Sequence, residues 1–233
     1  MVMHDDDAAP SDGSDSADSA ESVESAESAG SSDAAAAEAL ERRIQFALEA
    51  DRLKSVIRRT RLVDGSRHEN SAEHSWQLGL LAMLLTDAAP PGVDHARVIR
   101  MLLIHDIIEV DAGDTFAFDT TGYLDKADRE QAAAARLYGI LPGEQGGELR
   151  ALWEEFEIGE SADARFAVAL DRFQPLLLNF YGGGGSWREH GISRAQVLRR
   201  MGPIEQGAPP LWPFVLSVIE QACALGWVRE DTE

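Results

Sequence analysis

The sequence predicts an all-α protein, a bundle of about seven to nine helices behind a disordered acidic tail. Three observations predict it. Apolar residues recur at helical spacing through most of residues 36–233. No stretch shows the strict alternation of a half-buried strand, and no internal repeat is present. Gly- and Pro-bearing stretches such as Pro90-Pro91-Gly92 punctuate the periodic segments.

The tail comes first. Residues 1–33 contain ten Asp/Glu and no Lys/Arg, set among Ser, Ala and Gly. Low hydrophobicity with one sign of charge predicts disorder over 1–35. The remaining residues, 36–233, are long enough for one domain with a real core. Residues 34–60 are rich in helix formers, with Leu40, Ile44, Leu48, Leu53, Val56 and Ile57 at roughly helical spacing. The Asp64-Gly65 turn signal breaks this pattern. Residues 71–88 resume it as an almost wholly apolar helix with Ser71 as N-cap and Glu73 and His74 in its first turn. Pro90-Pro91-Gly92 ends that helix, and residues 94–110 form the next one, which stops at Asp111-Ala112-Gly113. A long loop over about 111–124 follows, then helices over 125–139, 144–157 and 161–180. The run GGGGSWREHG predicts a flexible loop carrying Trp187, and two helices over 193–201 and 210–226 close the chain.

Charge and composition exclude some functions. The formal net charge is −20, half of it in the tail. An acidic domain repels a phosphate backbone, so duplex nucleic acid is not an expected partner, and a small anion needs a local Arg cluster. The single cysteine, Cys223, allows no internal disulfide and suits a reducing cytoplasm. No basic and apolar leader opens the sequence, so no signal peptide is expected. No apolar run reaches about 18 residues, so no membrane span is expected.

Polar groups on the apolar helices carry the functional signal. His74 precedes Trp76, Leu78, Leu80 and Leu81; His105 and Asp106 separate Ile104 from Ile107; Asp171 lies in FAVALDRFQPLLLNF. A lone buried histidine is commonly a satisfied core residue, and a lone buried Asp is commonly paired with Arg. Arg172 is poorly placed to pair with Asp171, because adjacent helical residues point about 100° apart. One partner satisfies all four groups: a divalent cation. Two imidazoles and two carboxylates suit a hard or borderline ion such as Mn²⁺, Fe²⁺, Co²⁺ or Zn²⁺. Glu109 lies four residues after His105 and three after Asp106, so it shares their helical face and can orient a water or take its proton. Asp114, after Gly113, reads as a turn residue or as an acid for a leaving alkoxide. Arg58, Arg59 and Arg61 read as a solvated face or as a phosphate fork. Glu73 reads as a ligand-orienting residue or as a partner of Arg67. Trp76 reads as core, and Trp187 as a stacking lid or a surface plug.

The order His…His-Asp…Asp, with the doublet after an apolar run, resembles the HD-domain metal-dependent phosphohydrolase superfamily. ENSAEHSW at 69–76, HDIIEVDAGD at 105–114 and ALDRFQPLL at 169–177 resemble its 5′-deoxynucleotidase branch, over about residues 40–228. The resemblance implies an HD-domain helical bundle and one divalent metal ion (Mn, Co, Fe, Zn or Mg) on His74, His105, Asp106 and Asp171. It implies Glu109 and Asp114 as acid/base and substrate-handling residues, and Arg58 or Arg59 as the phosphate-holding arginine, with Arg61 close by. It implies a small phosphate-ester substrate, a nucleotide, and a homodimer. The sequence departs from the branch in three substrate-facing places: Thr60-Arg61 where an aromatic is common, TFAFDTTGY after Asp114, and GGGGSWREHG. The metal chemistry therefore carries over better than the substrate. The expected activity is hydrolysis of a (deoxy)nucleoside 5′-monophosphate or similar ester by a metal-activated water. An HD-type phosphodiesterase, an alarmone hydrolase, and a silent metal-binding sensor or scaffold are the alternatives.

Overall fold

A computed structural model describes residues 18–118, 122 and 124–231, with residues 18–32 as backbone only. Residues 1–17 of the expected tail therefore lie outside the described residues, as do positions 119–121 and 123 of the 111–124 loop. The chain divides into two compact units, Met1–Arg42 and Arg43–Glu233. The first contains most of helix α1 (Asp18–Asp51), which begins inside the stretch expected to be tail. Ala and Glu are strong helix formers, so the helix predicted from residue 34 extends backwards through them.

The second unit is the helical bundle. Besides the end of α1 it contains α2 (Ser71–Leu84), α3 (His95–Ile104), α4 (Glu109–Ala112), α5 (Lys126–Tyr138), α6 (Gln145–Ile158), α7 (Ala162–Tyr181), α8 (Gly185–His190), α9 (Arg194–Gly207) and α10 (Trp212–Ala224). Eight of these helices have ten or more residues, counted among the described residues. The all-α expectation stands. Helix α7 is the axis: Phe166, Ala167, Ala169, Leu170 and Leu176 are fully buried, and it packs on α2, α3, α6 and α9. Its contact with α9 is close because Gly207 has no Cβ; one there would collide with the Arg165 carbonyl oxygen. Leu78, Met101, Leu102 and Trp153 fill the core on the other side.

Five local expectations need correction. The helix expected over 34–60 stops at Asp51; a 3₁₀ turn follows, then strand β1 (Ile57–Arg61), antiparallel to β2 (His68–Asn70). No alternating pattern announced this hairpin, because its more buried positions, Arg58 and Thr60, are polar. The N-cap of α2 is Asn70, not Ser71: Asn70 accepts from the Glu73 N–H, and the Glu73 carboxylate accepts from the Asn70 N–H. Glu73 also binds Arg67, so it is structural. The helix expected over 94–110 breaks at His105, and i→i−3 hydrogen bonds tighten the chain through 107–111, into the start of α4.

The remaining two are tryptophans. Trp76 is not core: it is 65% exposed, and with Leu80, Met83 and Leu84 it forms an apolar outer face on α2. The stretch GGGGSWREHG is not a flexible loop. Gly183 and Gly184 take positive φ, and Asn179 Oδ1 accepts from both the N–H and the hydroxyl of Ser186, which starts α8. Trp187 is thereby buried at 2% exposure.

Candidate metal centre

Three long elements and one turn bring the predicted ligands together. His74 lies on the inner face of α2, one turn in. His105 caps α3 where that helix ends, and Asp171 sits mid-way along α7. Pro175, four residues after Asp171, has no N–H to bond the Asp171 carbonyl. His74, His105 and Asp171 are buried, and one ligand atom from each lies within 4.8 Å of the others. His74 Nε2 is 3.0 Å from Asp171 Oδ1, and His105 Nε2 is 3.8 Å from the same oxygen.

Both rings are held so that Nε2 faces this point. His105 Nδ1 lies 2.9 Å from the Leu102 carbonyl oxygen, which can only accept, so Nδ1 carries the proton. His74 Nδ1 lies 3.0 Å from Gln174 Oε1. Such partners beyond the ligands orient them and fix their tautomers.

Asp106 stands slightly apart. Its Oδ1 is 3.0 Å from His105 Nε2, but it does not join the trio, and its Oδ2 accepts from Arg58 at 2.9 Å. Arg172 corrects a sequence expectation: it does bond Asp171, on the carboxylate oxygen turned away from the histidines. The long side chain bends back, which the angle between adjacent Cα–Cβ bonds does not forbid.

The residues fit a divalent ion on three counts. His105 Nε2 is buried and makes no hydrogen bond, its approach to Asp106 being off the donor line. The donor set, two imidazole nitrogens with carboxylate, suits a borderline first-row cation. The local field also favours positive charge. Burial alone would lower the His105 pKa, yet Asp106 and Asp171 push it up to about 9. Burial would raise Asp106, but His105 and Arg58 hold it at about 2.

The acid/base candidates are close by. Glu109 is buried, and its carboxyl is pushed well above the usual range by burial and by the neighbouring Asp106 charge. Ser71 Oγ donates to it at 2.6 Å, which is why Ser71 faces inward and does not cap. Asp114 is raised by burial against the pull of Arg58, 3.7 Å away.

These groups line one cavity of about 320 Å³. Of the three candidate arginines, Arg58 and Arg59 line it, whereas Arg61 pairs with Glu189 at 2.7 Å and does not. Arg58 is engaged by Asp106, Glu69 and Asp114; Arg59 makes no ion pair among the described residues. Trp187, although buried, forms part of the wall.

Sequence reasoning missed several residues. Arg172, Arg200, Lys126 and Glu157 also line the cavity, and Glu69 and Gln174 lie behind His74. Gln174 had a readable signal: it is a polar residue three positions after Asp171 on an apolar helix, hence on the same face. Arg200 had none, because α9 reaches the cavity only through its packing on α7.

Comparison with known proteins gives the family of the chain. The family described as HD domain matches residues 50–212. A solved structure, described as a predicted metal-dependent phosphohydrolase from Magnetospirillum magnetotacticum MS-1, is 49% identical. The match covers 81% of this chain and 95% of that one, with a TM-score of 0.78. The 5′-deoxynucleotidase HDDC2 of Homo sapiens is 32% identical over 48% of this chain and 53% of its own length. The Bos taurus protein of the same name is 31% identical over 47% and 52%. The chain thus spans about half the length of these curated relatives.

Proposed function

The chain belongs to the HD domain family, and from that premise we propose that it is a metal-dependent phosphohydrolase cleaving the phosphomonoester of a (deoxy)nucleoside 5′-monophosphate or a similar small ester. The single observation that carries this reading is the buried trio His74, His105 and Asp171, two of which line an arginine-bearing cavity. Asp106, which touches His105, is the fourth ligand in this reading. A divalent ion held there acidifies a bound water and offsets phosphate charge.

The chain's own groups supply the rest. Arg59 projects into the cavity without a carboxylate partner among the described residues, so it is available to a phosphate oxygen. Arg58 holds Asp106 in place and adds positive charge. Glu109, whose carboxyl burial and the Asp106 charge push upward, can exchange a proton with the nucleophile or the leaving oxygen. Asp114 is the second proton carrier, beside Arg58. A cavity of about 320 Å³ is at the small end for ligand sites and fits a mononucleotide better than an alarmone. The names of the matched relatives point to the same substrate class. Cys223, free and unpaired in a disulfide, suits a cytoplasmic site of action. The uncharged outer face of α2 suits a homodimer.

The test is a panel of esters. The purified chain, with its metal content measured, is incubated with ribo- and deoxynucleoside 5′-monophosphates, a cyclic diester and an alarmone, each with Mn²⁺, Co²⁺ or Mg²⁺. Release of inorganic phosphate from 5′-monophosphates is expected. Turnover of the diester or alarmone alone would transfer the protein to those activities. Stoichiometric metal with no turnover of any ester would make it a sensor.

A further inference from the structure

Behind His74 lies a chain of buried polar groups that no ligand touches. Gln174 is completely buried, so its amide cannot turn to water. Its Nε2 donates to Glu69 Oε1 at 2.6 Å and to Gln77 Oε1 at 2.7 Å, which uses both amide hydrogens. Turned over, the amide would set its oxygen against the Glu69 carboxylate, which has only acceptors. Oε1 must therefore face His74 Nδ1, where it lies at 3.0 Å and can only accept.

We propose that Glu69 is a positioning residue that acts through Gln174: it fixes the amide, the amide fixes the proton of His74 on Nδ1, and Nε2 is left aimed at Asp171 and the metal site. Three elements contribute one group each: β2, α7 and α2. The arrangement repeats with side chains what the Leu102 carbonyl does for His105. Glu69 is 1% exposed and its Oε2 has no hydrogen-bond partner, with Arg58 Nε 3.6 Å away. A buried carboxylate kept at that expense, off the cavity wall, has its role in what Oε1 holds. The inference rests on His74 being a ligand, and the ring's proton is therefore read in the metal-loaded chain, with metal binding measured separately.

The experiment uses the full chain labelled with ¹⁵N, long-range ¹H–¹⁵N correlation at pH 8, and His74→Gln to assign the ring. Wild type loaded with Zn²⁺, which occupies Nε2, should show a protonated Nδ1 on His74; without the ion Nε2 faces Asp171 Oδ1 at 3.0 Å and competes for the proton. Gln174→Met should populate the Nε2–H form and weaken Zn²⁺ binding, read by chelator competition, about 10- to 100-fold. The exchange Glu69→Gln with Gln174→Glu rebuilds the relay, since a carboxylate at 174 accepts from both neighbours; it should restore Nδ1–H and most of the affinity. A bare Nδ1 in the Zn²⁺-loaded wild type overturns the proposal. So does a Gln174→Met protein, helical by circular dichroism, with tautomer and affinity unchanged. A wild type that shows Nδ1–H yet binds no divalent metal sinks the metal reading above and leaves the relay standing.

Discussion

The floor and the rim of the cavity are built differently. On the floor, His105 and Asp171, with His74 behind them, come from long packed helices, none is more than 7% exposed, and each has a partner: the Leu102 carbonyl, Arg172 and Gln174. On the rim, Arg59 stands exposed on a five-residue strand, and Phe116 and Phe118 are half-buried in the loop after α4. That loop is held largely by one side chain: Arg129 bonds the carbonyls of Ala112 and Gly122 and the Thr115 hydroxyl. The difference teaches where each demand is met. Ligand geometry tolerates little error and sits on rigid elements, while the surface that meets a substrate sits where sequence can vary without disturbing the core.

The comparison can be broken most sharply on the floor. His105→Ala should abolish activity and lower metal affinity by more than about 100-fold; metal analysis showing a full complement would remove His105 from the ligand set. Next comes the joint between floor and rim. Arg58→Ala strips the cation from Asp106, Glu69 and Asp114 at once, and should lower the unfolding free energy by about 3–5 kcal/mol in urea titration. An unchanged midpoint would mean that these acids find other partners. The rim should respond through substrate binding alone: Arg59→Ala raises KM about tenfold with metal content and stability unchanged. A fall in metal content instead would place Arg59 with the floor.

A pair away from the cavity gives the smallest effect. Burial pushes Glu155 up, but hydrogen bonds from Arg97 and Ser161 hold it below the usual carboxylate value. A depressed folded pKa stabilises above the unfolded value of about 4.3, and that stabilisation is lost as pH falls through the folded one. Arg97→Gln should therefore cost at most about 1 kcal/mol at pH 7. The gap to wild type should close as the pH is lowered past 4; a gap that widens in acid would contradict the pairing.

Much of this was legible in the residues. Capping and breaking signals placed α5, α6, α7 and α10 within a few positions, because those helices bury one face and their ends carry Ser161, Gly139 and Gly159. His74, His105 and Asp171 were legible because ionisable groups on apolar helices require a partner. The β1–β2 hairpin was not, since its more buried positions are polar and face the site. Trp76 misled for the opposite reason: apolarity all round α2 does not say which face the bundle covers.

The sequence by itself determined that this chain is helical, that its apolar faces carry two histidines and an aspartate needing a cation, and that arginines stand near them. Only the tertiary structure decided which atoms meet. It turned Arg61 away to Glu189, bound Arg172 to Asp171, broke α3 at His105 and set Gln174 and Glu69 behind His74. Residue type and spacing act within one element and follow from its period. Partners 48 to 128 residues apart are chosen by how whole helices pack, and packing depends on the shapes of all of them at once.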